Sequence, residues 1–176
     1  MVDRVFLLDR SGSMQSCYQE TLDGMNAFIE SQRELGGTMT LCLFDTVCTT
    51  LYEKTPMAEV PLLTPNEYVL GGGTALHDAI GKVLRMSLGD TAMVIILTDG
   101  EENASSTYTA AHVKDLIELK PWTFVYLGAN QDSVLNAQRL GIRYSKDYDG
   151  AQTPELFRTI SHTVTQYSQN TNDVVL

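Results

Sequence analysis

The sequence predicts one α/β domain, a Rossmann-like, doubly wound and mainly parallel sheet with one antiparallel edge strand and helices on both faces. Three observations predict it. Two apolar runs, residues 2–8 and 92–98, are continuous rather than alternating, which is how central strands buried on both faces read. Around them, short apolar runs alternate with longer stretches of helical period, the order of a parallel sheet with helical crossovers. Residues 39–44 and 47–52 depart from that alternation, since two strand-like runs meet across Asp45-Thr46 as a hairpin does.

The elements follow in order. After the first strand, Leu22, Met25, Phe28 and Ile29 recur at helical spacing between about residues 18 and 35, and Gly36-Gly37 supplies a stop. The hairpin comes next, its second strand richer in Thr and Cys and therefore placed at an edge. Residues 54–73 contain Pro56, Pro61 and Pro65 and end in Gly71-Gly72-Gly73, so a loop with little regular structure is expected. A helix over about 75–87 places Leu76, Ala79, Ile80, Val83 and Leu84 on one face. The second central strand, 92–98, leads to a helix over about 109–119 carrying Val113, Leu116 and Ile117 and stopped by Pro121. A strand over 123–127 precedes a short helix capped by Asp132 or Ser133 and closed by Gly141, and a short strand is expected over 142–144. Thr153-Pro154-Glu155 supplies a cap, a pre-set first turn and a dipole-matched acid for a final helix whose buried face is Leu156, Phe157, Ile160, Val164 and Tyr167. The expected domain covers residues 1–170, with 171–176 as a frayed tail.

Composition narrows the function classes. The 176 residues carry 12 Lys and Arg against 22 Asp and Glu, a formal net charge of −10 with no basic patch, which argues against nucleic acid and anionic membrane as partners. No apolar run approaches the roughly 20 residues that span a bilayer, and no signal-peptide pattern opens the chain, so a cytoplasmic protein is expected. Cys17, Cys42 and Cys48 lack metal-ligand or redox-motif spacing and read as reduced thiols.

In a doubly wound sheet the ligand site lies beyond the carboxyl ends of the strands, where the winding reverses. Asp9-Arg10-Ser11-Gly12-Ser13 follows the first strand, Asp99-Gly100-Glu101-Glu102 follows the second central strand, and Gly71-Gly72-Gly73-Thr74 opens a helix. If those strands are neighbours, Asp9, Ser11, Ser13, Thr74 and Asp99 converge. All five offer oxygen, two as carboxylates and three as hydroxyls, which suits a hard cation: Mg²⁺ first, with Mn²⁺ and Ca²⁺ as alternatives. Two carboxylates against a dication leave it electrophilic toward one more anion from outside. Asp and Ser also cap helices and form turns routinely, and the isolated string would bear that reading as well. The conjunction with Thr74 and Asp99 favours the metal.

Asp78 and Gly73 are expected to support the five from behind, with a plain helix-start acid as the equal alternative for Asp78, and Arg10, Met14, Glu101 and Glu102 to flank the site and face a partner, with solvated loop charges as the simpler reading of the two glutamates. His77, His112 and His162 share no ligand spacing. Two other classes compete with a binding module. A Mg²⁺-dependent phosphatase of the haloacid dehalogenase type also ends its first strand in Asp, but it wants a second carboxylate where Ser11 stands. A structural subunit could keep the cation only to hold its fold.

Asp9-Arg10-Ser11-Gly12-Ser13-Met14, the Gly-Gly-Thr ending at Thr74 and Thr98-Asp99-Gly100, in this order, resemble the von Willebrand factor type A domain with a complete metal-ion-dependent adhesion site. The resemblance spans nearly the whole chain. It implies that Ser11, Ser13 and Thr74 ligate Mg²⁺, that Asp9 and Asp99 bind it directly or through water, and that an Asp or Glu of a partner protein completes the shell. It also implies a non-enzymatic adhesion or adaptor module of the bacterial intracellular type, acting within a multiprotein assembly such as one built around an AAA+ ATPase.

Overall fold

The computed structural model describes residues 1–129, 132–169, 174 and 176. Six strands form one sheet in the order β3-β2-β1-β4-β5-β6. These are β1 (Asp3–Asp9), β2 (Thr38–Phe44), β3 (Cys48–Pro56), β4 (Met93–Thr98), β5 (Thr123–Ala129) and β6 (Tyr144–Tyr148). All neighbours run parallel except β2 and β3, whose antiparallel pairing makes β3 an edge. The two continuous apolar runs are β1 and β4, side by side with Leu8 opposite Leu97, so the winding reverses between them.

Helices α1 (Tyr18–Gln32) and α5 (Thr153–Ser168) cover one face, and α2 (Leu76–Leu84), α3 (Ala110–Glu118) and α4 (Ser133–Arg139) the other. Alternation along β1 divides the core between them: Phe6 and Leu8 point toward α1 and α5, Val5 and Leu7 toward α2 and α3. On the first face the Phe6 ring meets Phe28 edge-on at 5.3 Å and stacks on Phe157 at 6.2 Å. Gly24 makes that packing fit, because a Cβ there would clash with the edge of the Phe157 ring.

Several boundaries differ from the sequence expectation. The hairpin exists, but its turn is longer and β3 runs on to Pro56, with register shifts near Leu41. The last strand lies at 144–148 rather than 142–144, since its pairing begins at Tyr144 opposite Val125. Helix α2 ends at Leu84, and α1 is reached through a 3-10 turn over Gly12–Cys17. Thr153 does not cap α5. Its hydroxyl donates to the Gly150 carbonyl at 2.6 Å, while Asp149 caps the preceding 3-10 turn by accepting from the Ala151 amide. The expected frayed tail falls mostly outside the described residues, but Val174 and Leu176 lie half-buried against the first core face.

The proline-rich loop is anchored rather than loose. Asn26 of α1 clamps Leu63 from both sides, its Nδ2 donating to the carbonyl at 2.9 Å and its Oδ1 accepting from the amide at 2.8 Å. A second loop, between β4 and α3, hangs from two acids. Asp78 accepts from the amides of Ser106, Thr107 and Tyr108 at 2.9, 3.0 and 2.9 Å. Glu102 accepts from the amides of His77, Ala104 and Ser105 and from the Ser105 hydroxyl. Burial raises the Asp78 carboxyl, but the three amides outweigh it and hold the group below its ordinary range.

Two outcomes follow from this packing. Gly24→Val should lower stability in urea unfolding by about 2 kcal/mol, as overpacking of a filled site does; unchanged stability would contradict the contact with Phe157. A carboxyl whose folded pKa lies below its unfolded value of about 3.9 contributes stability that is present above that value and is lost as pH falls through the folded one. The stability gap between wild type and Asp78→Asn should therefore be open at pH 7 and close below about pH 4. An equal gap at both ends of that range would contradict the anchoring role.

Candidate metal centre

Asp9 is the last residue of β1, and its side chain is enclosed, with 0% of the residue exposed. Its Oδ1 accepts from the Ser11 amide at 2.6 Å and its Oδ2 from the Thr98 hydroxyl at 2.7 Å, which ties the ends of β1 and β4 together. From there the side chains form a chain of oxygens. Ser11 Oγ lies 3.0 Å from Ser13 Oγ, and the Ser13 hydroxyl donates to Asp99 Oδ1 at 2.7 Å. Thr74 joins from the third loop. A Cβ placed on Gly100 would stand 2.8 Å from Thr74 Oγ1, 3.5 Å from Ser13 Oγ and 3.7 Å from Asp9 Oδ2, so these three oxygens surround one point that only a glycine leaves open. All five expected residues therefore meet.

The loops are held by backbone as well as side chains. The Gly71 amide donates to the Arg10 carbonyl at 2.9 Å, and Tyr68 Oη donates to the Asp9 carbonyl at 2.8 Å. Gly72 has a φ of 72°, a conformation that costs a non-glycine residue, and there the chain passes close against Asp45 and Thr46 of the hairpin turn. Thr46 Oγ1 accepts from the Gly73 amide at 3.1 Å, and Asn103 Oδ1 accepts from the Thr74 amide at 2.8 Å. Asn103 and the Thr74 carbonyl thus lock the third loop to the second.

Electrostatically the site is anionic. Burial first, and then the nearby Asp99, raise the Asp9 carboxyl against its hydrogen bonds, and burial likewise raises Asp99 against its bond from Ser13. Among the described residues no ion pair reaches either carboxylate, because Arg10 turns aside to Asp45 at 3.2 Å and to Thr49 Oγ1 at 3.1 Å. Nor do three or more His, Cys, Asp or Glu side chains converge anywhere among those residues. The donor set is two carboxylates and three hydroxyls. It lacks the nitrogen and sulfur of a structural zinc site and matches a hard divalent cation.

The site opens on one side. Asp9, Ser11 and Thr74 are buried, whereas Ser13 is exposed and Asp99 half-exposed, so anything from outside arrives at those two. The flanking residues fall into two groups. Glu101 is exposed beside the site, and the Arg10 side chain is 19% exposed above the Asp45 pair. Met14, expected to face a partner, is instead 0% exposed and belongs to the core beneath α1, because the 3-10 turn points it inward. Glu102, expected to flank the site or to be solvated, turns its carboxylate onto amides of its own loop and onto the His77 amide of α2. Asp78 supports the site only through that loop. Gly73 has Asn103 Oδ1 2.7 Å from where its Cβ would stand, so it lets the clamp on Thr74 close.

Tyr68, Thr46 and Asn103 have no site role in the sequence reading, and Thr98 stands in its motif without one. Thr98 carried a signal, as a hydroxyl closing an otherwise apolar strand. The others sit in loops with no periodicity to mark them.

Comparison with known proteins agrees with this architecture. The sequence profile of the von Willebrand factor type A domain matches residues 4–102. No curated protein sequence matches the chain. Among solved structures, proximal thread matrix protein 1 from the mussel byssus, with a zinc-occupied metal-ion-dependent adhesion site, is 15% identical with a TM-score of 0.69 over 93% of this chain and 46% of its own. The ArnB paralog VWA2 from Sulfolobus acidocaldarius is 21% identical with a TM-score of 0.64, covering 92% of this chain and 44% of that one. BatB from Bacteroides thetaiotaomicron is 15% identical with a TM-score of 0.62, covering 97% of this chain and 100% of its own. The chain spans less than half the length of the mussel and Sulfolobus proteins, and at these identities the likeness is one of fold. The profile match takes in more than half of the 176 residues and contains all five site residues, and so the chain belongs to the von Willebrand factor type A domain family.

Proposed function

We propose that this chain is a Mg²⁺-dependent protein-binding module, in which Asp9, Ser11, Ser13, Thr74 and Asp99 hold the ion and an acidic side chain of a partner protein completes its shell. One observation carries the reading: two carboxylates and three hydroxyls converge at the switch point, with no side-chain cation among the described residues paired to the carboxylates. Domains of this family are generally interaction modules, often metal-dependent, and the zinc in the mussel protein's site is a divalent ion held by the same fold. When bound, a dication supplies an electrophilic position for one carboxylate from outside. This chain's residues do the rest. Asp9, fixed by Thr98 and Ser11, sets the position of negative charge from below, and Ser13 and Asp99 offer oxygens at the open side. Oxygen-only ligands favour Mg²⁺ over zinc, with Mn²⁺ and Ca²⁺ as substitutes.

The partner read from this chemistry is a protein surface presenting Asp or Glu; the acidic chain gives nucleic acid and anionic membrane nothing to hold. No helix among the described residues is long and apolar enough to cross a membrane, and Cys17, Cys42 and Cys48 are free, which supports a reducing, cytoplasmic setting. A multiprotein assembly, such as one around an AAA+ ATPase, is the context to which the family resemblance points.

Calorimetric titration of metal-stripped protein should show one saturable Mg²⁺ site, abolished in Asp9→Ala and weakened roughly tenfold in Ser13→Ala, equivalent to about 1.4 kcal/mol. A carboxylate mimic such as acetate belongs in a parallel titration, because the shell is incomplete without one. Unchanged affinity in both variants would remove the assignment. Hydrolysis of p-nitrophenyl phosphate should stay at background with Mg²⁺ present; metal-dependent turnover lost in Asp9→Ala would instead establish the phosphatase alternative. If Asp99→Ala lowered the melting temperature of the Mg²⁺-loaded protein while Mg²⁺-dependent capture of its partner persisted, the ion would be a structural clip and the binding role would fall.

A further inference from the structure

Two of the three cysteines share one face of the edge hairpin. In the register Cys42 stands opposite Thr50 and Phe44 opposite Cys48, so Cys42 and Cys48 project from the same side of the sheet, one diagonal step apart. Both pack into the core face beneath α2, whereas Cys17 lies in the opposite one. Cys42 Sγ is 3.6 Å from Thr50 Oγ1, and Cys48 is the thiol diagonally next to it across the ladder. Cys42 is buried, but Cys48, at the start of β3, is partly exposed. Lys82 reaches over from α2 and donates to the Cys48 carbonyl at 2.8 Å, which brings a cation to the pair.

We infer that Cys42 and Cys48 form a thiol–disulfide exchange site that takes a low-molecular-weight disulfide, such as oxidised glutathione, and closes into a bridge between β2 and β3. The accessible Cys48 thiolate attacks one sulfur of the small disulfide, forming a mixed disulfide and releasing one small thiolate, which takes up a proton. The Cys42 thiolate then attacks the Cys48 sulfur and expels the second small thiolate, which is protonated in turn. Two protein thiols are oxidised and one small disulfide is reduced to two thiols.

The local chemistry suits this. The neighbouring Cys48 holds the Cys42 thiol below its ordinary range against its burial, with Thr50 and the Lys82 charge assisting, while the neighbouring Cys42 and burial push Cys48 up, so the two thiols titrate as a pair. The first proton is lost from the pair rather than from one sulfur alone, and attack proceeds from the sulfur that a small disulfide can reach. Diagonal positions across a ladder stand farther apart than directly opposed ones, so the bridge must draw the strands together. Exchange with a small dithiol runs the same two steps backwards and reopens the bridge. It also lies under the hairpin turn, where the Asp45 carbonyl accepts from the Ala75 amide at 2.8 Å and Thr46 accepts from Gly73.

The test is disulfide mapping of the full chain after equilibration with oxidised glutathione, with free thiols alkylated in denaturant. Two of the three thiols should be lost. One peptide pair should be joined through Cys42 and Cys48, Cys17 should be alkylated, and dithiothreitol should return all three. Cys48→Ser should leave Cys42 alkylated and yield no bridge. Three alkylated cysteines in the wild type, a lasting glutathione adduct on Cys48 without a bridge, or a bridge that uses Cys17 would each overturn the inference.

Discussion

The structure turns on a buried carboxylate with no side-chain cation paired to it among the described residues. Asp9 ends the central strand in complete enclosure, and its partners are an amide and a hydroxyl rather than a lysine or arginine. An ionised group in that position is costly to bury. The rest of the carboxyl edge is arranged around that cost. Thr98 closes β4 with a hydroxyl that reaches Asp9, Tyr68 comes in from the proline-rich loop to hold its carbonyl, and Ser13 and Thr74 bring hydroxyls to the space above it. A divalent ion held there, as proposed, would balance the charge of Asp9 and Asp99 in a way no side chain among the described residues does.

A second use of acidic residues explains part of the chain's charge. Asp78 and Glu102 bind no cation as their main partner; they gather backbone amides and so fix the loop from 102 to 108 against α2. Asp45 is the counterpart on the other side, pairing Arg10 with its carboxylate and Ala75 with its carbonyl. Three loops that would otherwise move independently share anchors in this way, and the oxygens they carry stay within hydrogen-bond reach of one another. Preorganisation of that kind is what a site of neutral hydroxyl ligands needs, since each contributes little alone.

Much of this was legible in the chain. Continuous apolar runs marked β1 and β4 because burial on both faces leaves no room for polar alternation; their adjacency was a condition in the sequence, and the pairing of β1 with β4 meets it and brings Asp9 near Asp99. Composition of the loops then named the oxygens. What was not legible depends on tertiary contact: whether the side chain after Gly-Ser points in or out, as with Met14, or whether a loop glutamate meets solvent or amides, as with Glu102. The hairpin register was equally hidden, and with it the pairing of Cys42 and Cys48, because spacing along the chain says nothing about which diagonal a bulged ladder brings together.

Anomalous diffraction from crystals soaked in Mn²⁺ tests the central claim most directly, because it locates a cation without reference to any binding partner. The account predicts one strong manganese peak enclosed by Asp9, Ser11, Ser13, Thr74 and Asp99, with these side chains as its nearest protein oxygens. Well-ordered crystals showing manganese elsewhere on the acidic surface and none at this point would contradict it.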